Sequence, residues 1–244
     1  MKKILYTIII ILLISIMLLS SMVLFNNKTE DLKQEQIFDN LQNTINDTTN
    51  QEKAENITTN ENYHNLFECN NDMVGWLRID NTNIDYPVMQ TKSNPNYYLR
   101  KNFYKEYSYY GTPYIDEKCN IEDGSNLIIY GHHIKNNKMF GELEKYKNKN
   151  FYNEHRVVEF IIKDVNYTYQ VVFVLKTDAI TGFKYFNYTD LRLKYNFKEF
   201  VDNCKKLSLY KSDTQISFGD KFITLSTCEY SSENGRLAII AKRL

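Results

Sequence analysis

What the chain lacks narrows its function before any motif is considered. It has no excess of either charge, with 30 Lys and Arg against 30 Asp and Glu in 244 residues. A nucleic-acid binder shows a clustered basic surface and a high pI, so that class of partner is excluded. None of Cys69, Cys119, Cys204 and Cys228 forms a C-x-x-C pair, which removes the usual zinc and dithiol redox sites. No acidic cluster demands calcium, and neither a metal nor an organic cofactor is expected. No internal repeat stands out, and strands and helices do not alternate regularly, which argues against a doubly wound parallel sheet. A chain this long can bury a core without disulfide staples; whether Cys69 and Cys119 pair is left open.

The N-terminus supplies the first positive signal. Lys2 and Lys3 precede an uncharged run from Ile4 to Phe25, while Glu30 and Asp31 follow it. As a helix the run would be about 33 Å long, enough for the roughly 30 Å hydrocarbon core. The flanking charges place the N-terminus in the cytoplasm and the rest outside. A cleaved signal peptide has a shorter apolar region and a small-x-small site. Met22-Val23-Leu24-Phe25 offers no such site, so residues 1–25 read as an uncleaved membrane anchor. Residues 26–62 read as a polar stalk. Ile37, Phe38, Leu41 and Ile45 have helical spacing there, and Asn43 to Asn60 reads as a solvated linker.

The folded domain is expected over 63–244. A short helix is expected around Leu66, Phe67, Met73 and Val74, then strands at Gly75–Ile79 and Ile84–Val88, with Pro87 suited to an edge. Further strands are expected at Gly111–Asp116, Leu127–Tyr130, Val157–Ile162 and Tyr167–Leu175, the last two joined by a turn at Asp164–Asn166. Met139, Phe140, Leu143 and Tyr146 share a helical face, as do Phe197, Phe200, Val201, Cys204 and Leu207 between Tyr195 and Leu209. Cys204 therefore reads as a core thiol. With two strands near the C-terminus the count is about eight, which predicts a mainly β barrel or sandwich with helices.

The chemistry concentrates in Phe222–Leu237. The apolar run Phe222-Ile223-Thr224-Leu225 ends near Cys228, a polar loop follows, and Arg236 opens a second apolar run. Cysteine attack on a carbonyl requires a thiolate, a proton carrier and a donor for the developing oxyanion. Cys228 is the candidate nucleophile, His132 or His133 the proton carrier, and Arg236 the oxyanion or substrate donor. Each has a plainer reading: Cys228 as an inert core thiol, the histidines as turn residues, Arg236 as the surface partner of Glu233. The change from apolar to polar residues at Cys228 favours the rim of a cleft.

Thr224-Leu225-Ser226-Thr227-Cys228, Arg236 a short loop later, and Tyr130-Gly131-His132 upstream together resemble the sortases, membrane-anchored cysteine transpeptidases of Gram-positive bacteria. The stretch from Tyr130 through His133 and Asn136 to Phe140, and the helix between Thr189 and Leu209, are similar to class B. The resemblance covers roughly Asn71 to Leu244. It implies an eight-stranded β-barrel with an N-terminal helical extension. Cys228 would cleave a sorting signal of NPQTN or NPxTG type between Thr and Gly through a thioacyl enzyme. A peptidoglycan cross-bridge or stem-peptide amine would then resolve it, joining a surface protein to the wall. By motif position His132 is the acid/base and His133 structural. The resemblance also places Asn94, Leu99, Ser226, Thr227 and Glu229 at the signal-binding groove, with core packing an equal reading for Leu99. The implied partners are surface proteins bearing the signal, the peptidoglycan amine and the membrane.

Overall fold

The apolar runs of this chain pair edge to edge until no sheet edge is left. A computed structural model describes residues 2–52, 60–135, 137–163 and 165–244. Helix α1 (Lys2–Glu52) leads, followed by α2 (Asn60–Cys69), β1 (Met73–Arg78), β2 (Asp85–Met89), β3 (Tyr114–Ile115) and β4 (Asn126–Tyr130). A small hairpin, β5 (His133–Ile134) with β6 (Lys138–Met139), precedes a 3-10 helix at Phe140–Lys147 and α3 (Lys149–Glu154). Then come β7 (Val157–Ile162), β8 (Val165–Asp178), α4 (Lys194–Leu207), β9 (Phe222–Cys228) and β10 (Gly235–Arg243). Eight of these strands close a barrel in the order β1-β2-β3-β4-β9-β10-β8-β7. Closure pairs every strand on both sides, which removes the exposed edges that make open sheets prone to aggregate. The expected eight-stranded β-barrel with helices is the fold.

The chain divides into two compact units, Met1–Asn40 and Leu41–Leu244. In the first, α1 exposes its apolar side chains from Ile4 to Phe25. Among the described residues it is the one helix long and apolar enough to cross a membrane. The helix continues through 43–52, where a linker was expected, and residues 53–59 of that linker lie outside the described residues. In the second unit Leu41 and Ile45 are buried, and Gln42 Nε2 donates to the Asp85 carbonyl at 2.8 Å. An apolar stripe and a fixed amide hold that turn helical against its polar composition.

Three local differences have physical causes. The helix expected to reach Val74 stops at Cys69, and Met73 and Val74 belong to β1. Asn70 ends it: its Oδ1 accepts from Asp72 N at 3.0 Å, and its Nδ2 reaches the Phe103 carbonyl and the Tyr98 hydroxyl. A side chain that supplies backbone partners competes with helix continuation. The expected strand at Gly111–Asp116 contracts to two residues, because Gly111 has φ +63° and lies against the Tyr98 and Leu99 carbonyls. A Cβ there would stand 2.7 Å from both oxygens. At the expected turn between β7 and β8, Asn166 already pairs with Ile161, and Asp164 lies outside the described residues.

Helix α4 covers one face of β8, β9 and β10. Phe197, Phe200, Val201 and Cys204 pack with Val172, Phe173, Phe222, Ala238 and Ile240 in one apolar cluster. Cys204 is a core thiol as expected, and burial holds it well above the usual thiol range. Cys69 is exposed and Cys119 buried, and both are free thiols.

Candidate active site

Two ladders meet at the end of β9 and decide which side chains stand together. On one side β9 runs antiparallel to β10, with Cys228 opposite Arg236. Glu229 N donates to the Gly235 carbonyl at 2.9 Å, so Cys228 and Arg236 form the neighbouring non-hydrogen-bonded pair. In such a pair the Cα atoms are about 4.5 Å apart and both side chains leave the same face. By the two-residue period of a strand, Phe222, Thr224, Ser226 and Cys228 share that face. Phe222 lies under α4, whereas Cys228 at the strand end is only half-buried. The local sequence dictates this arrangement: an apolar strand, a six-residue polar loop from Glu229 to Asn234, and a return strand.

On the other side β4 runs parallel to β9, with Tyr130 opposite Ser226. Gly131 N continues the ladder to the Ser226 carbonyl at 3.1 Å, and Thr227 Oγ1 donates to the Gly131 carbonyl at 2.8 Å. A side chain at Gly131 would meet the Phe140 ring at 2.5 Å, so glycine is needed for this approach. His132 follows Gly131 directly, on the segment that leaves β4 beside the end of β9. His132 Nε2 lies 2.8 Å from the Leu99 carbonyl. A carbonyl only accepts, so Nε2 carries the proton and Nδ1 is the basic nitrogen of the neutral ring. Burial lowers the His132 pKa below the ordinary histidine range. The Leu99 carbonyl opposes this, and the Arg100 charge adds to it.

Aromatic hydroxyls surround the pair. Tyr185 Oη and Ser226 Oγ are 2.5 Å apart in the buried floor. Burial pushes the Tyr185 phenol up to about 12, with Ser226 and Arg236 pulling the other way. Tyr114 is likewise raised to about 12, mainly by burial, with Asp116 and Cys228 adding to the rise. Arg236 Nη1 donates to the Gly235 carbonyl at 2.9 Å, which uses one of its five donors and leaves the others for an incoming group. Thiol and guanidinium thus stand opposite each other at the end of β9, and the imidazole is carried on the segment that continues from β4, the neighbouring strand. Acyl transfer through a thioester uses these three kinds of group. Among the described residues no group of three or more His, Cys, Asp or Glu could hold a metal ion.

The other expected site residues separate into two sets. Asn94 and Leu99 are exposed, Leu99 with its carbonyl on His132. Ser226, Thr227 and Glu229 are instead buried to within 2–3% of full burial. Their polar atoms are spent on Tyr185, on the Gly131 carbonyl, and on Lys147 and Ser231 respectively. Their side chains fasten the frame around Cys228. Tyr185 and Lys147 were missed in the sequence, since no local pattern marks a partner 41 or 82 residues away.

Glu229 carries a measurable consequence. Although burial raises its pKa, hydrogen bonds from Lys147 and Ser231 hold the carboxyl down at about 2. An unfolded Glu titrates near ~4.3. The folded value is the lower one, so this stabilisation is complete above the unfolded pKa and is lost as pH falls from about 5 toward 2. Glu229→Gln should therefore show a flatter loss of stability over that interval than the wild type in urea unfolding at stepped pH. At pH 7 it should cost about 3 kcal/mol, the low end for a broken buried pair, because Lys147 keeps Glu144 at 2.6 Å. Parallel pH curves for the two proteins would contradict this role.

Comparison with known proteins gives a consistent result. A family model for the sortase domain matches residues 77–244. Sortase B of Staphylococcus aureus (strain NCTC 8325 / PS 47) is 35% identical over 183 residues, covering 74% of this chain and 73% of that protein. Sortase B of Listeria monocytogenes serovar 1/2a is 37% identical over 180 residues, with 72% of each covered. Among solved structures, a Staphylococcus aureus sortase B–substrate complex superposes with TM-score 0.76 at 30% identity, covering 90% of this chain and 98% of that one. Clostridium perfringens sortase B superposes with TM-score 0.69 at 32% identity, covering 75% and 99%.

Proposed function

This chain belongs to the sortase family, within its class B, and is a cysteine transpeptidase; from that premise we propose the reaction and the roles that follow. The substrate is a surface protein bearing a C-terminal sorting signal of NPQTN or NPxTG type. Cys228 Sγ, as thiolate, attacks the carbonyl of the signal's Thr, forming a C–S bond as the Thr–Gly bond breaks. His132 gives a proton to the departing Gly amine. The thioester is then attacked by an amine of a peptidoglycan cross-bridge or stem peptide, whose proton returns to His132. A C–N bond forms, the C–S bond breaks, and the thiolate is regenerated. Arg236 donates to the oxygen that gains charge in both steps.

The observation that supports this reading most is the double register at the end of β9. Arg236 on β10 faces Cys228 on β9, and His132 lies on the segment that continues from β4, the other neighbour of β9. Leu99, whose carbonyl meets His132, and Asn94, both with exposed side chains, are the residues we assign to the signal. Water would compete with the amine in the second step, so the two outcomes require a product assay. The chain is incubated with an NPQTN-type peptide and an added amine nucleophile, and products are resolved by mass spectrometry. A joined peptide–amine product that is lost in Cys228→Ala supports transfer; hydrolysed peptide alone would make the enzyme a peptidase. We further propose that the apolar part of α1 spans the membrane with Lys2 and Lys3 inside and the catalytic domain outside. Protease protection in intact cells tests this, and a protected domain would reverse the orientation.

A further inference from the structure

The β4 edge of β9 has one carbonyl more than β4 has donors. Residues of a strand present both backbone groups to one side, alternating along the chain. Glu229 N faces β10, so Cys228 faces the β4 edge, as Ser226 does in accepting from Gly131 N. The next donor in that ladder would be a backbone N–H two residues after Gly131. The chain has by then left the barrel and pairs within β5 and β6, with His133 opposite Met139. The vacant place is filled by a side chain: His133 Nδ1 lies 2.9 Å from the Cys228 carbonyl. The carbonyl only accepts, so Nδ1 carries the proton.

The ring is itself held. Tyr230 packs on it with centroids 4.8 Å apart, and the Tyr230 hydroxyl lies 3.4 Å from the His133 carbonyl. Glu144 Oε1, buried without a hydrogen-bond partner, stands 3.8 Å from Nδ1, and its other oxygen is paired with Lys147. Lys147 in turn binds Glu229, the residue after the nucleophile. The Cys228–Glu229 peptide plane is thus fastened at both ends, its N–H on the Gly235 carbonyl and its C=O on His133. The orientation of that plane sets the direction of the Cys228 Cα–Cβ bond.

We infer that His133 is a positioning residue for the nucleophile: its Nδ1–H locks the peptide plane that aims the Cys228 thiol. The inference rests on the reading of Cys228 as nucleophile. A misplacement of about 1 Å can cost about 10²-fold in rate without loss of binding.

The test compares three substitutions at one position in the peptide–amine assay. His133→Asn places an amide nitrogen where Nδ1 stands, His133→Gln places it one atom further out, and His133→Phe keeps the ring without a donor. The expected result is kcat within about threefold of wild type for Asn, and lowered about 10- to 100-fold for Gln and Phe, with KM changed less than about twofold throughout. The pH profile of Cys228 alkylation by a small neutral reagent should be unchanged in all three, because aiming a thiol does not alter its protonation. Equal losses in Asn and Phe, wild-type turnover in Phe, or a loss carried by KM would overturn the inference. A changed alkylation profile would do so as well, by making His133 the proton carrier. If the wild type shows no Cys228-dependent turnover, the nucleophile assignment fails instead, and that outcome is separate from the ranking of the three variants.

Discussion

Cys228→Ala should yield a folded protein whose peptide–amine turnover is reduced by at least about 10⁴-fold. The fold should survive because the backbone at this position is held by its neighbours. Glu229 N bonds the Gly235 carbonyl, and the Cys228 carbonyl has its own donor in His133. The thiol is half-buried at a strand end, so its removal opens no enclosed cavity. The chemistry, in contrast, has no substitute: no other atom at the rim can form the thioester. His132→Ala should cost nearly as much, since a thiolate without a proton carrier cannot expel an amine. Residues that act as one unit are strongly non-additive. The double variant should therefore be no slower than Cys228→Ala alone. Initial rates and thermal melts of the three variants measure this. A Cys228→Ala protein with more than about 1% of wild-type turnover, or multiplicative losses in the double variant, would contradict the assignment.

How much of this was legible depended on the distance between partners along the chain. The β9–β10 hairpin is local, so the apolar run ending at Cys228 and the restart at Arg236 sufficed to bring thiol and guanidinium together. The choice between His132 and His133 was not legible from the residues themselves. What brings their segment to Cys228's strand at all is the parallel register of β4 with β9, which joins positions 96 residues apart, as in the bond of Thr227 to Gly131. The barrel was readable because β4, β7, β8, β9 and β10 are long apolar runs. Strand β3 was overestimated, since only Tyr114 and Ile115 escape the tight turn that Gly111 makes against Leu99. Ser226, Thr227 and Glu229 flank the nucleophile in sequence, and that proximity suggested ligand contact. The structure adds that they are buried and bonded to Tyr185, the Gly131 carbonyl and Lys147, so they also hold the end of β9 in place.

Arg236 offers the sharpest separation between stabilising charge and holding structure. Arg236→Ala should lower kcat by about 10²–10³-fold, the usual cost of removing an oxyanion donor, with a smaller change in KM. Arg236→Lys should recover little of that loss. The guanidinium spends Nη1 on the Gly235 carbonyl, which fixes the plane of its remaining donors. A lysine ammonium is a point charge on a flexible stem and cannot make the local bond and the fork together. Neither substitution should unfold the domain, because Arg236 is partly exposed near the start of β10 and the strand's apolar residues from Leu237 to Ala241 remain buried. Alkylation of Cys228 by a small neutral reagent develops no oxyanion, so its rate should fall far less than peptide turnover in both variants. That contrast isolates the role of Arg236 on the substrate oxygen from any influence on the thiol. If alkylation and turnover fall together, Arg236 acts by sustaining the thiolate; if Lys restores full kcat, charge alone is sufficient and the forked geometry is irrelevant.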